Sequence, residues 1–143
     1  MGSATDQCIG DVMVGPTSPI KETAVLPEIS DIFLKSPRNY LPVLSNDKRL
    51  VGIISLQDVK AHLNAGEELR AVIALDLMRP VKTTLTPNAR LMDALPTIMG
   101  SEMEMIPVVN SEREMRLVGS VSRGKTLGLL SEAIGESSQE NQI

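Results

Sequence analysis

Leu50-Val51-Gly52-Ile53-Ile54-Ser55 returns 67 residues later as Leu117-Val118-Gly119-Ser120-Val121-Ser122, and this recurrence decides how the rest of the chain is read. Self-similarity over such a distance marks a duplicated unit that buries its apolar face against its twin. Working outward, Tyr40-Leu41-Pro42-Val43 returns as Met105-Ile106-Pro107-Val108, Leu26 as Leu91, and Asp11-Val12-Met13 as Asp76-Leu77-Met78, each 65 residues on. The step in offset from 65 to 67 puts two extra residues into the polar turn before Leu117. That turn reads Ser45-Asn46-Asp47-Lys48 in the first copy and Asn110-Ser111-Glu112-Arg113-Glu114 in the second. A polar surface turn takes up such an insertion without disturbing a core.

Each copy carries the pattern of the same elements. A short extended piece opens it, Pro19-Ile20-Lys21 or Lys82-Thr83-Thr84-Leu85. A helix follows, over residues 89–99 in copy two, where Leu91, Leu95, Ile98 and Met99 share one face. Pro96 inside that pattern predicts a kink or interruption, whereas Pro27 in copy one stands near a helix start, where proline is tolerated. Two apolar, β-branched strands come next, over residues 40–44 and 50–55, then 105–109 and 116–121. A last helix spans residues 56–64 or 123–134, with Ser55 and Ser122 as N-cap candidates. The order β-α-β-β-α, twice, predicts an α+β fold of two pseudo-symmetric repeats packed through their sheets. A single unit of roughly 55 residues buries too little surface to be stable alone. The expected division is repeat one over residues 9–64, a linker over 65–75, repeat two over 76–134 and a tail over 135–143. Leu69, Val72 and Ile73 predict a short helix in the linker, and the Ser/Gln/Glu-rich tail is expected to be disordered.

Composition excludes several functions. The 143 residues carry 14 Lys+Arg against 18 Asp+Glu, a net charge of −4 that argues against a general nucleic-acid binder. One Phe, one Tyr and no Trp leave no base-stacking platform for single strands. The single Cys8 excludes an intrachain disulfide and a cysteine metal cluster, and the single His62 excludes histidine-based zinc sites. No apolar run approaches the ~18 residues of a membrane span.

The Asp-Val-Met, Leu-Pro-Val-Leu and Leu-Val-Gly-Ile-Ile-Ser-Leu-Gln-Asp-Val series, in order and duplicated over about residues 9–134, resembles a tandem CBS domain, or Bateman module. Val51-Gly52-Ile53-Ile54-Ser55-Leu56-Gln57-Asp58-Val59 and the stretch from Glu68 to Met78 look like the cytoplasmic CBS pair behind the membrane domain of CLC-type chloride channels and chloride/proton antiporters. That likeness implies a non-catalytic regulatory module on the cytoplasmic side of a membrane, a homodimer attached to a transmembrane chloride-transport domain. It implies no required cofactor, with AMP, ADP or ATP as the ligand class. Other hosts, a magnesium/cobalt efflux transporter or a stand-alone energy sensor, remain open, as does a ligand-free dimerisation scaffold.

The resemblance also implies where a nucleotide sits. Ser55-x-x-Asp58 matches the family's Ser/Thr-x-x-Asp, whose carboxylate holds a ribose; a carboxylate accepts both hydroxyls in charge-assisted bonds. Read without the family, the same residues are a serine N-cap with an acid in the first helical turn. The first cleft is expected to be completed by Val81, Lys82, Thr83, Thr84, Met105, Ile106 and Pro107 of the other copy. In the second cleft Lys125 stands where Asp58 stands in the first, a departure from the family pattern, because a cation accepts no hydroxyl proton. That cleft is expected to gather Thr17, Ser18, Ile20, Tyr40, Ser122, Arg123 and Lys125, with Tyr40 as the base-stacking candidate and the two cations either facing phosphates or forming a solvated turn.

One motif is rejected. Gly119-Ser120-Val121-Ser122-Arg123-Gly124-Lys125-Thr126 satisfies the P-loop expression G-x-x-x-x-G-K-[ST]. The repeat, however, aligns Ser120-Val121 with Ile53-Ile54, so these residues continue a strand and do not wrap a phosphate.

Overall fold

The computed structural model describes residues 6–16, 18–64 and 71–140. The elements run α1 (Ile9–Val12), β1 (Ile20–Lys21), α2 (Leu26–Lys35), β2 (Tyr40–Leu44), β3 (Leu50–Ser55), α3 (Leu56–Asn64), α4 (Ala74–Leu77), α5 (Leu91–Met99), β4 (Met105–Val109), β5 (Leu117–Ser122) and α6 (Arg123–Glu140). The fold is mixed α/β, and the two repeats pack through their sheets. In one sheet β1 runs parallel to β2, which is antiparallel to β3; in the other β4 and β5 are antiparallel. Leu85 bridges Val108 in parallel, a single-residue counterpart of β1.

The pseudo-symmetry extends to individual bonds. Lys48 and Met115, equivalent turn residues, both take a left-handed backbone, with φ of 65° and 57°. Arg49 pairs with Arg116, its own equivalent, so the pseudo-two-fold passes between them. The two extra residues of the second copy lie in the turn between β4 and β5, closed by Asn110 N–H donating to the Arg116 carbonyl as Ser45 does to Arg49.

The repeats exchange their opening segments. Ile9, Val12 and Met13 pack into the core of repeat two with Leu85, Leu91, Ile98, Ile106 and Val121. Ala74, Leu77 and Met78 pack into the core of repeat one with Leu26, Ile29, Leu41 and Ile54. Both crossings are held by matching backbone bonds: Val14 pairs with Ser120, and Arg79 with Ile53. Gly52 and Gly119 permit this approach. A Cβ on Gly52 would lie 2.9 Å from the Arg79 carbonyl oxygen, and one on Gly119 would lie 2.6 Å from that of Val14.

Three expectations need correction. Val72 and Ile73 are not helical: Ile73 bridges Val25 and the Val72 carbonyl accepts from Leu26, so the chain enters repeat one as an extended strap. Leu69 and the rest of residues 65–70 lie outside the described residues. The boundary at residue 134 is not a helix end, because α6 continues to Glu140; Gln and Glu sustain a helix well. Lys82-Thr83-Thr84 forms no strand, and only Leu85 of that segment joins the sheet. Pro96 sits inside α5 without ending it.

Candidate functional site

Asp58 is placed by a helix start. The Ser55 hydroxyl accepts from the Asp58 N–H at 3.1 Å, while the Asp58 carboxylate accepts from the Ser55 N–H at 3.1 Å and its hydroxyl at 2.7 Å. This reciprocal pair is a capping box, and it fixes the carboxylate at the head of α3. Arg79 completes the arrangement: its Nε lies 2.9 and 3.0 Å from the two carboxylate oxygens, and its Nη2 lies 2.6 Å from Oδ1. The Asp58 side chain is 17% exposed and that of Arg79 59%. Burial pushes the Asp58 carboxyl up, but the bonds from Arg79 and Ser55 outweigh it and hold the group below its ordinary value. The same bonds raise Arg79.

These residues border a cavity of about 180 Å³ between the repeats. Tyr40, Ile53, Ser55 and Asp58 come from repeat one; Arg79, Pro80, Lys82 and Thr83 come from the segment after α4, and Gly100, Ser101, Glu102 and Met103 from the turn after α5. Of the residues expected here, Ser55, Asp58, Lys82 and Thr83 are brought together. Val81 and Thr84 do not line the cavity. Ile106 is a correction, being fully buried in the second core. Met105 and Pro107 border instead a neighbouring cavity of about 530 Å³, formed by the equivalent segments 37–42 and 102–107, which lead into β2 and β4, together with Arg123.

Tyr40 is the larger correction. Expected in the second cleft, it lines the first as well as the larger neighbouring cavity, because the antiparallel register sets it directly opposite Ser55, and cross-strand neighbours share a face. The sequence held this signal in the strand pairing. Arg79 was missed outright, although comparing the copies marks it: the residue after Asp-x-Met is Arg79 in one and Val14 in the other, a change that accompanies Asp58 against Lys125.

Of the residues expected in the second cleft, Tyr40 and Arg123 meet at the larger cavity, and Ser18, Ile20, Ser122 and Lys125 do not line it. Ile20 is buried in the first core, Ser18 and Lys125 are exposed, and Thr17 lies outside the described residues. The Ser122 hydroxyl accepts from the Lys125 N–H. Glu104 covers the head of α6, its Oε1 accepting from the Gly124 N–H at 2.9 Å. A carboxylate from the chain itself thus stands where an anion at this helix start would sit. Arg123 binds the Ser101 carbonyl at 2.6 Å and lies 3.6 Å from the Glu104 carboxylate, so it braces the loop that walls the first cleft. Gly119 to Ser122 form strand β5 and Thr126 is buried, an arrangement that is not a phosphate-wrapping loop. Among the described residues no group of three or more His, Cys, Asp or Glu is suited to a metal, and no helix is long and apolar enough to cross a membrane.

Two copies of a single unit that enclose a cleft between them, with a carboxylate fixed at its edge, define a tandem-repeat module. The CBS domain family matches residues 9–65 and 73–132, and the chain belongs to that family as a tandem pair. The fold is similar to that of a CBS domain-containing protein of unknown function from Bacillus anthracis (TM-score 0.76, 20% identity, covering 90% of this chain and 95% of that one). It is also similar to CBSX2 in complex with AMP (TM-score 0.71, 21% identity, 88% and 97% covered) and to a CBS-pair structure of CBSX2 from Arabidopsis thaliana (TM-score 0.73, 19% identity, 88% and 95% covered). A homoserine O-acetyltransferase of Methanohalobium evestigatum is 22% identical over 114 residues, 80% of this chain; the chain spans 22% of that protein's length.

Proposed function

We propose that the chain is a regulatory, non-catalytic CBS pair that binds one adenine nucleotide in the cleft of Tyr40, Ser55, Asp58, Lys82 and Thr83. The observation that carries this reading is the Asp58 carboxylate, fixed by the Ser55 capping box at the rim of an inter-repeat cavity. An acceptor-only group there suits the two hydroxyls of a ribose, Tyr40 offers a ring face to a base, and Lys82 offers a charge to a phosphate. The AMP carried by the similarly folded CBSX2 supports the ligand class. A ligand between two repeats acts by favouring one relative orientation of them, and it does so only to the extent that it binds that orientation better.

A thermal-shift panel with AMP, ADP and ATP at millimolar concentration tests the reading. Binding to the folded state raises the melting temperature with ligand concentration. A melting temperature unmoved by all three rejects the sensor and leaves the dimerisation scaffold.

For the host, residues 51–59 and 68–78 support a chloride channel or chloride/proton antiporter, with the pair dimerising on the cytoplasmic side of the membrane. The second reading is a pair that works without a membrane domain. Sequencing the gene upstream separates them: several hydrophobic spans ahead of residue 1 support the transporter, and an open reading frame that starts at Met1 removes it.

A further inference from the structure

Asp58 cannot hold a ribose and Arg79 in the same way at once. Its Oδ2 accepts from the Ser55 N–H, the Ser55 hydroxyl and Arg79 Nε, and its Oδ1 accepts from Arg79 Nε and Nη2. A carboxylate offers about four lone-pair sites. The bonds to Ser55 belong to the helix cap and stay, so two incoming hydroxyls must take the places held by the guanidinium.

Arg79 is free to leave in a way Asp58 is not. Its side chain is 59% exposed, and it stands on an extended segment fixed through the backbone by two bonds to Ile53, at 2.8 and 3.0 Å, that its side-chain rotation does not break. Once displaced, the guanidinium remains at the cavity edge with no carboxylate partner. Glu102, the other acid lining that cavity, acts on Arg79 as a charge at a distance and not as a bonded partner on the scale of the Asp58 fork. A ligand that brings its own anion replaces the lost partner; a ligand that brings only hydroxyls leaves the cation to water and gives up the charge-assisted bond.

We propose that Arg79 is a latch that makes the cleft selective for phosphorylated over unphosphorylated nucleosides: it occupies Asp58 in the empty site and exchanges that carboxylate for the ligand's phosphate. The proposal rests on the nucleotide reading of this cleft and assigns its selectivity to one residue. The second cleft supports the pairing of roles, because it has lost both members together, with Lys125 for Asp58 and Val14 for Arg79.

The test is calorimetric titration of wild type, Arg79→Met and Arg79→Lys with AMP and with adenosine. Wild type is expected to prefer AMP by about 10–100-fold, the range of a charge-assisted bond made with one ligand and lost with the other. Arg79→Met is expected to weaken AMP, strengthen adenosine and cut the ratio several-fold, leaving only the part of the preference that Lys82 supplies. Arg79→Lys, which keeps the charge without the planar fork, is expected to retain part of the preference. If Arg79→Met binds AMP and keeps the wild-type ratio, the latch is wrong while the nucleotide site stands. Wild type that binds neither compound overturns the nucleotide reading and the latch with it. The Arg79→Lys result guards against misfolding, since a preference equal to that of Arg79→Met in a variant that still melts cooperatively also contradicts the exchange.

Discussion

Asp58 shows how one carboxylate serves both helix and site. Its capping bonds to Ser55 would exist in any well-started helix, and only its position between the repeats sets it at the rim of a cavity. With its folded pKa lowered, the stabilisation it supplies is complete above the ordinary carboxylate pKa of about 3.9 and is lost as the pH falls through the folded value. Asp58→Asn should therefore flatten the loss of stability below about pH 4, measured as the urea midpoint against pH. An acid limb as steep as that of wild type contradicts the assignment. At this scale Ser55 and Asp58 were legible because their spacing is local. Arg79 was not, because its bond to Asp58 crosses between segments 21 positions apart.

Gly52 and Gly119 show the same division at the scale of the element. Their strands were readable from apolar, β-branched runs either side of a polar turn, but the reason for a glycine in mid-strand lies in the segment that crosses it. Val14 is bound to Ser120 through both its N–H and its carbonyl, at 2.9 and 3.0 Å, so it cannot retreat from a Cβ on Gly119 without loosening both bonds. Gly119→Ala should cost about 1–3 kcal/mol, as overpacking does. Gly128, in exposed helix α6 with nothing within 4 Å of a Cβ, is the contrast: Gly128→Ala should add up to about 1 kcal/mol. Equal effects of the two changes in urea denaturation would contradict this account. The helix ends were less legible. Polar residues after Gly135 resemble a tail in composition, yet they keep helical backbone as far as Glu140.

The whole molecule is held together by exchange. The period in the sequence revealed two units, but a linear division cannot show that Ile9 completes the second core and Leu77 the first. Ile9 is fully buried, and Ile9→Ala should cost about 2–5 kcal/mol although it lies outside residues 76–134. A fragment that begins at residue 76 lacks Ile9, Val12 and Met13 and should show no cooperative melt; a sharp transition in that fragment would contradict the exchange. The same architecture makes the clefts unequal. One is lined by Asp58, Arg79 and Tyr40, while in the other Glu104 covers the helix start and Lys125 replaces the acid.

Isothermal titration of AMP into wild type and Asp58→Ala tests the central claim, a single nucleotide site built on Asp58. The account predicts saturation at one AMP per chain for wild type and loss of binding for Asp58→Ala. Two sites per chain, or an affinity unchanged by Asp58→Ala, would contradict it.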